Sequence, residues 1–215
     1  MEAMNSHQLK IKLKLPVRAA VLAGLVLGLL TCQVHAETAQ DQMTFWIEDS
    51  YSGKSVQATI DVPDKSLWNA KRVKDYQDSL YVNAAAPVGI LTIQDVDIEI
   101  PIYNGTEDLN LNRGVGRIKG MARMYDESGN LGIAGHRDGI FRGLKDIEVG
   151  DEIEVLTPGG LETYAVSSIT IVPKNDISVL DPTDDKTLTL VTCYPFYHIG
   201  NAPKRYIVKA TADSL

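Results

Sequence analysis

Only two cysteines occur among the 215 residues, Cys32 and Cys193. Cys32 falls inside the N-terminal leader, residues 1–36, so the remainder holds one thiol and closes no internal disulfide. Histidine is also scarce: of four, only His136 and His198 lie beyond residue 36. Two histidines and one cysteine make no zinc pattern, and the acidic residues form no calcium-loop spacing. No metal or other cofactor is expected. Basic residues are outnumbered, 21 against 28, for a net charge of −7. The first 36 residues carry Lys10, Lys12, Lys14 and Arg18 against Glu2, a net of +3 that leaves −10 for the rest. A nucleic-acid partner needs a basic face, and this acidic body argues against one. Internal repeats and low-complexity tracts are absent.

What is present begins with a leader. Four basic residues precede an apolar run from Ala19 to Leu30, and Val34-His35-Ala36 has the small residues of a cleavage site. The 18 uncharged residues 19–36 also approach the length of a spanning helix. A cleaved signal peptide and an uncleaved signal anchor both fit. Either exports the body, to the outer face of the cytoplasmic membrane if the anchor is kept, or to a periplasmic or extracellular space if it is cut. A lone thiol in that oxidising setting is a feature to explain.

Composition divides the chain into the leader (1–36), a linker with an N-terminal helix (37–86) and a β-rich domain (87–215). Residues 37–60 are polar without a clear period. A helix is expected to start near Asp64 after Pro63, with Leu67, Trp68, Tyr76 and Leu80 on one apolar face. Strands are expected at Val88–Ile93, Val96–Ile102, Leu131–Ala134, Glu152–Leu156, Tyr164–Val172, Thr187–Cys193 and Arg205–Ala210, with loop or short helix over 106–130. Seven or eight short strands separated by turns favour an antiparallel sandwich or barrel.

Cys193 stands where the run Thr187–Cys193 stops before Tyr194-Pro195, and proline does not continue a central strand. A thiol at a strand end suits a nucleophile, although a small buried cysteine is the plainer alternative. A nucleophilic cysteine needs a base, and His136 and His198 are the candidates. Acyl transfer also needs a fixed donor for the developing oxyanion. Arg205, at the start of the next strand, is placed to supply one, or else forms a surface ion pair.

Together these residues resemble the sortase family, most closely its class D and proteobacterial members. Thr189-Leu190-Val191-Thr192-Cys193 is similar to the family's cysteine signature, Ala134-Gly135-His136-Arg137 to its histidine segment, and Lys204-Arg205-Tyr206-Ile207-Val208 to its arginine strand. The order is also the family's, and the likeness spans about Pro87 to Ala210. It implies an all-β fold, an eight-stranded sortase barrel with minor helices, preceded by the N-terminal helix and leader. It implies a transpeptidase that cleaves a Leu-Pro-X-Thr-Gly type sorting signal through a thioester on Cys193, with His136 moving protons and Arg205 steadying the oxyanion. Thr192 would shape the pocket, and the Tyr194 backbone N–H would assist Arg205. Partners are then surface proteins with C-terminal sorting signals, an amine acceptor of the cell envelope, and the membrane through the N-terminal segment. Two other readings stay open: a hydrolytic cysteine protease, and an exported noncatalytic barrel that binds peptides.

Overall fold

The computed structural model describes residues 42–48, 53–198 and 200–212, which fall within one compact unit that begins at Ala39. The leader read at 1–36 lies outside the described residues. Among the described residues, no helix is long and apolar enough to cross a membrane.

The strands are β1 (Gln42–Glu48), β2 (Ser55–Asp61), β3 (Gly89–Ile93), β4 (Ile98–Asn104), β5 (Val115–Arg117), β6 (Gly129–Gly135), β7 (Glu152–Thr157), β8 (Gly160–Pro173), β9 (Lys186–Tyr194) and β10 (Lys204–Ala212). Helix α1 (Ala70–Leu80) precedes β3, and α2 (Asp108–Arg113) lies between β4 and β5. Strands β3 to β10 close a barrel in the order β10-β8-β7-β3-β4-β5-β6-β9, the eight-stranded barrel that the resemblance implies. Pairing is antiparallel except at β4–β5 and β6–β9, which run parallel.

The core follows from alternation. Ile98, Ile100 and Ile102 of β4, Leu131 and Ile133 of β6, Leu188 and Leu190 of β9, and Tyr206, Val208 and Ala210 of β10 all point inward and are buried. On the opposite face of β6 and β9, buried Asn130 and Thr189 share a hydrogen bond of 2.6 Å. Asn130 Nδ2 also donates to the carbonyls of Val179 and Asp181 at 3.2 and 3.0 Å. One amide thus ties β6 and β9 to the segment before β9.

Several local expectations need correction. The polar stretch within 37–60 contains the hairpin β1–β2, whose Ile47, Ala58 and Ile60 are buried with Ile90 of β3 and pack against Leu156 of β7. Met43, Phe45 and Ile47 alternate with exposed Gln42, Thr44 and Trp46, so the period is present but short. The helix begins at Ala70, not near Asp64, because Asn69 Oδ1 caps Arg72 N at 2.8 Å while Asp64 closes a turn onto Ser66. Trp68 and Tyr76 pack edge to face at 5.5 Å, but Leu67 and Leu80 are exposed. β4 starts at Ile98, since Gln94–Val96 form a 310 turn that ends on left-handed Asp97 (φ 52°). The loop of 106–130 holds both α2 and the eighth barrel strand, β5.

Asn130→Ala removes the donor to two part-buried carbonyls and the partner of the buried Thr189 hydroxyl. Denaturant unfolding is expected to show a loss of about 1–3 kcal/mol at unchanged m value, the scale of orphaned buried hydrogen-bonding groups.

Candidate functional site

Two ladders set the site. In the parallel β6–β9 pair Gly135 lies opposite Thr192, and in the antiparallel β9–β10 pair Cys193 lies opposite Arg205. His136 follows Gly135 by one residue, so it stands next to the Cys193 position. Residues opposite one another in a ladder project from the same face. For Cys193 and Arg205 this face is the outer one, since Leu188 and Leu190, Tyr206 and Val208 occupy the inner. His136, Cys193 and Arg205 accordingly line one open cleft of about 410 Å³, with Arg72, Arg137, Asp138 and Lys174 also in its walls. Cys193 is partly exposed and carries a free thiol.

Close packing holds the histidine segment. A side chain at Gly135 would put its Cβ 2.6 Å from the Phe141 ring, so β6 approaches this ring only with glycine there. Thr192 Oγ1 donates to the Gly135 carbonyl at 2.8 Å and is buried. Thr192 therefore stands behind the cleft rather than in its wall, bracing the backbone just before His136. The Tyr194 side chain also leaves the cleft. It stacks on Tyr206 at 6.1 Å and meets Phe196 edge to face at 6.0 Å. His198 is exposed and lines no part of the cleft, but its carbonyl accepts from Arg137 Nη2 at 2.7 Å. The same nitrogen reaches the Gly200 carbonyl at 2.9 Å, so the residue after His136 clamps the loop between β9 and β10.

Two participants have no sequence signal of their own, Arg72 and Asp138. Arg72 projects from the first turn of α1 and pairs with Asp138 at 3.2 Å. Their contact joins segments far apart in the chain, so only the packing of α1 shows it.

Charge in the cleft opposes that of the whole chain. Arg72, Arg137, Lys174 and Arg205 line it against the single carboxylate of Asp138, in a protein of net charge −7. Arg205 Nη1 donates only to the backbone carbonyls of Lys204 and Ala202, at 2.9 and 3.3 Å, which leave the charge of the guanidinium uncancelled. Among the described residues, no group of three or more His, Cys, Asp or Glu is placed to hold a metal ion.

His136 holds its proton less readily than an ordinary histidine of pKa 6.5, chiefly because burial disfavours the charged ring and secondly because the Arg72 cation is near; Asp138, Asp108 and Asp75 oppose the shift. The unfolded chain therefore protonates this histidine first as pH falls. Stability that is complete above 6.5 is lost as pH drops through the lower folded value. Across this window the Tm of the wild type is expected to fall more steeply than that of His136→Gln. Parallel curves would count against a histidine that burial keeps neutral.

Known proteins are similar to this chain in sequence and fold. The family described as the sortase domain matches residues 91–213, more than half of the chain. Sortase D of Bacillus subtilis (strain 168) is 42% identical over 121 residues, which cover 56% of this chain and 61% of that protein. Sortase A of Listeria monocytogenes is 30% identical over 112 residues, half of each chain. The chain thus spans between half and two thirds of these relatives. Among solved structures, the Clostridium perfringens Sortase D5 transpeptidase superposes with a TM-score of 0.54 at 27% identity, covering 70% of this chain and 93% of that one. A lid mutant of Sortase A from Corynebacterium diphtheriae gives 0.57 at 27% identity, covering 71% and 83%. With its closed barrel, its thiol and guanidinium in register and a family match over most of the β-rich region, the chain belongs to the sortase family.

Proposed function

We propose that this chain is an exported cysteine transpeptidase that cleaves a Leu-Pro-X-Thr-Gly type sorting signal and passes the acyl group to an amine. The observation that carries the proposal is the convergence of Cys193, His136 and Arg205 in one open cleft, from three neighbouring strands. The leader 1–36 would deliver the domain across the cytoplasmic membrane and, if retained, hold it there. Surface proteins bearing the signal are the donors, and an amine of the cell envelope is the acceptor.

In the first half-reaction the Cys193 thiol gives its proton to His136 and its sulfur attacks the threonine carbonyl carbon. The carbonyl oxygen becomes an oxyanion. Arg205 faces it with nitrogens that have no partner among the described residues, and the Tyr194 backbone N–H adds a neutral donor. Collapse breaks the threonine–glycine C–N bond, and the leaving amine takes the proton from His136. A thioester remains on Cys193. In the second half-reaction the acceptor amine attacks that thioester and surrenders a proton to neutral His136. The new amide forms, the sulfur leaves as thiolate, and the proton returns to it. A histidine held mainly neutral near pH 7 is ready as a base in both halves.

Incubation with a sorting peptide and mass spectrometry should find an acyl adduct on Cys193, and excess amine should convert it to the amide. Free acid as the sole product in abundant amine would indicate a protease. Cys193→Ala should abolish turnover, a loss on the order of a thousandfold or more. Arg205→Ala should lower kcat about a hundredfold with smaller change in KM. If His198→Ala abolishes turnover while His136→Ala does not, the proton-transfer assignment is overturned.

The cationic cleft generates a specificity test. A peptide with Glu at the variable position should be preferred over one with Lys by about fivefold in kcat/KM at low salt, the scale of one ion pair near a wet surface. That preference should shrink as salt is raised.

A further inference from the structure

Helix α1 precedes the barrel in sequence, yet its first turn and the residues just before it touch the segment that follows His136 at three points. Arg72 Nη2 pairs with Asp138 Oδ1 at 3.2 Å. Asn69, the residue that caps α1, donates from Nδ2 to Asp138 Oδ2 at 3.2 Å. Arg142 Nη1 donates to the carbonyl of Leu67. Asp138 is therefore held at both carboxylate oxygens, by an ion pair to Arg72 on Oδ1 and a hydrogen bond from Asn69 on Oδ2, two residues from His136. Arg72 is fixed from the other side as well: Nη1 donates to Asn112 Oδ1 at 2.8 Å, and the guanidinium side chain is only 14% exposed. Its stem lies where a Cβ on Gly139 would come within 3.2 Å of Cδ. A fork with two partners and a tight stem has one orientation, and a lysine has no such fork.

We propose that Arg72 and Asp138 are a positioning pair that latches α1 onto the His136 segment and holds the imidazole in the cleft beside Cys193. This rests on His136 being the proton carrier of the proposed reaction. The pair also sets the charge that the ring meets. His136 is faced by Arg72 and Asp75 from α1, by Asp108 from α2 and by Asp138 from its own loop, with Arg137, Lys174, Cys193 and Arg205 around the cleft. At the ring the two charges oppose one another, Arg72 disfavouring the proton and Asp138 favouring it. Loss of either leaves the other without this counterpart.

The test titrates His136 by NMR in the full chain, with isotope-labelled histidine and assignment through His136→Gln, beside steady-state kinetics. Arg72→Met should raise the titration midpoint of His136, because a cation is removed and a carboxylate is freed. Asp138→Asn should lower it, because one of the carboxylates that oppose the guanidinium is then neutral. Each should reduce kcat/KM, mostly through kcat, on the order of ten- to a hundredfold, the scale of a small misplacement of a reacting group. Arg72→Lys should keep the midpoint near the wild-type value while recovering only part of kcat. Shifts in opposite directions are not produced by general loosening of the fold, so they distinguish the pair from a purely structural contact. Midpoints unchanged in both folded variants, with turnover also unchanged, overturn the proposal while leaving the reaction intact. Full turnover in His136→Ala instead overturns the reaction assigned to His136. If Arg72→Met does not fold, Asp138→Asn alone decides by the sign of its shift.

Discussion

Backbone register is the constraint from which the site follows. β9 is hydrogen-bonded on both sides, parallel to β6 and antiparallel to β10, so Thr192 and Cys193 inherit neighbours from two strands at once. No contact between the reactive side chains is needed to bring them together. A slip of one residue in either ladder would turn Cys193 toward the Leu190 layer and bring Thr192 to the cleft. The buried core on one face and the Asn130–Thr189 bond on the other both resist that slip. The fold therefore places Cys193, Arg205 and His136 through the same hydrogen bonds that close the barrel.

Around this frame, loops and α1 adjust charge. The reactive groups lie on the outer face, where water and substrate enter, but His136 is pushed toward its neutral form by burial against the barrel end and by Arg72. Arg137 and Arg205 spend donors on backbone carbonyls, so geometry consumes their hydrogen bonds without cancelling their charge. A positive cleft thus exists in a protein that is acidic overall.

Residues whose roles follow from local chain chemistry were legible in the sequence. Cys193 ends a β-rich run before a proline, Arg205 opens the next strand, and His136 follows a glycine that only tight packing explains. Strands with long alternation, such as β4, β8 and β9, were legible as well. β5 was not, because Val115-Gly116-Arg117 is too short to show a period. The β1–β2 hairpin was obscured because exposed Trp46 sits on its polar side. Thr192 looked like a pocket residue since it neighbours the thiol, yet alternation turns it away to Gly135. Arg72 and Asp138 meet only through tertiary packing, and nothing in either local sequence signals the other.

The hairpin β1–β2 has a practical bearing on how this sortase-family domain is delimited. Family resemblance begins near the first barrel strand, at residue 91, which invites trimming everything before it. Ile90 and Leu156, however, are roofed by Ile47, Ala58 and Ile60, and the helix between hairpin and barrel carries Arg72. A fragment cut at the border of likeness would bare a greasy flank and strip one wall from the cleft that holds Cys193. The packed unit takes in the hairpin from Gln42, so homology and packing draw different borders on the same chain.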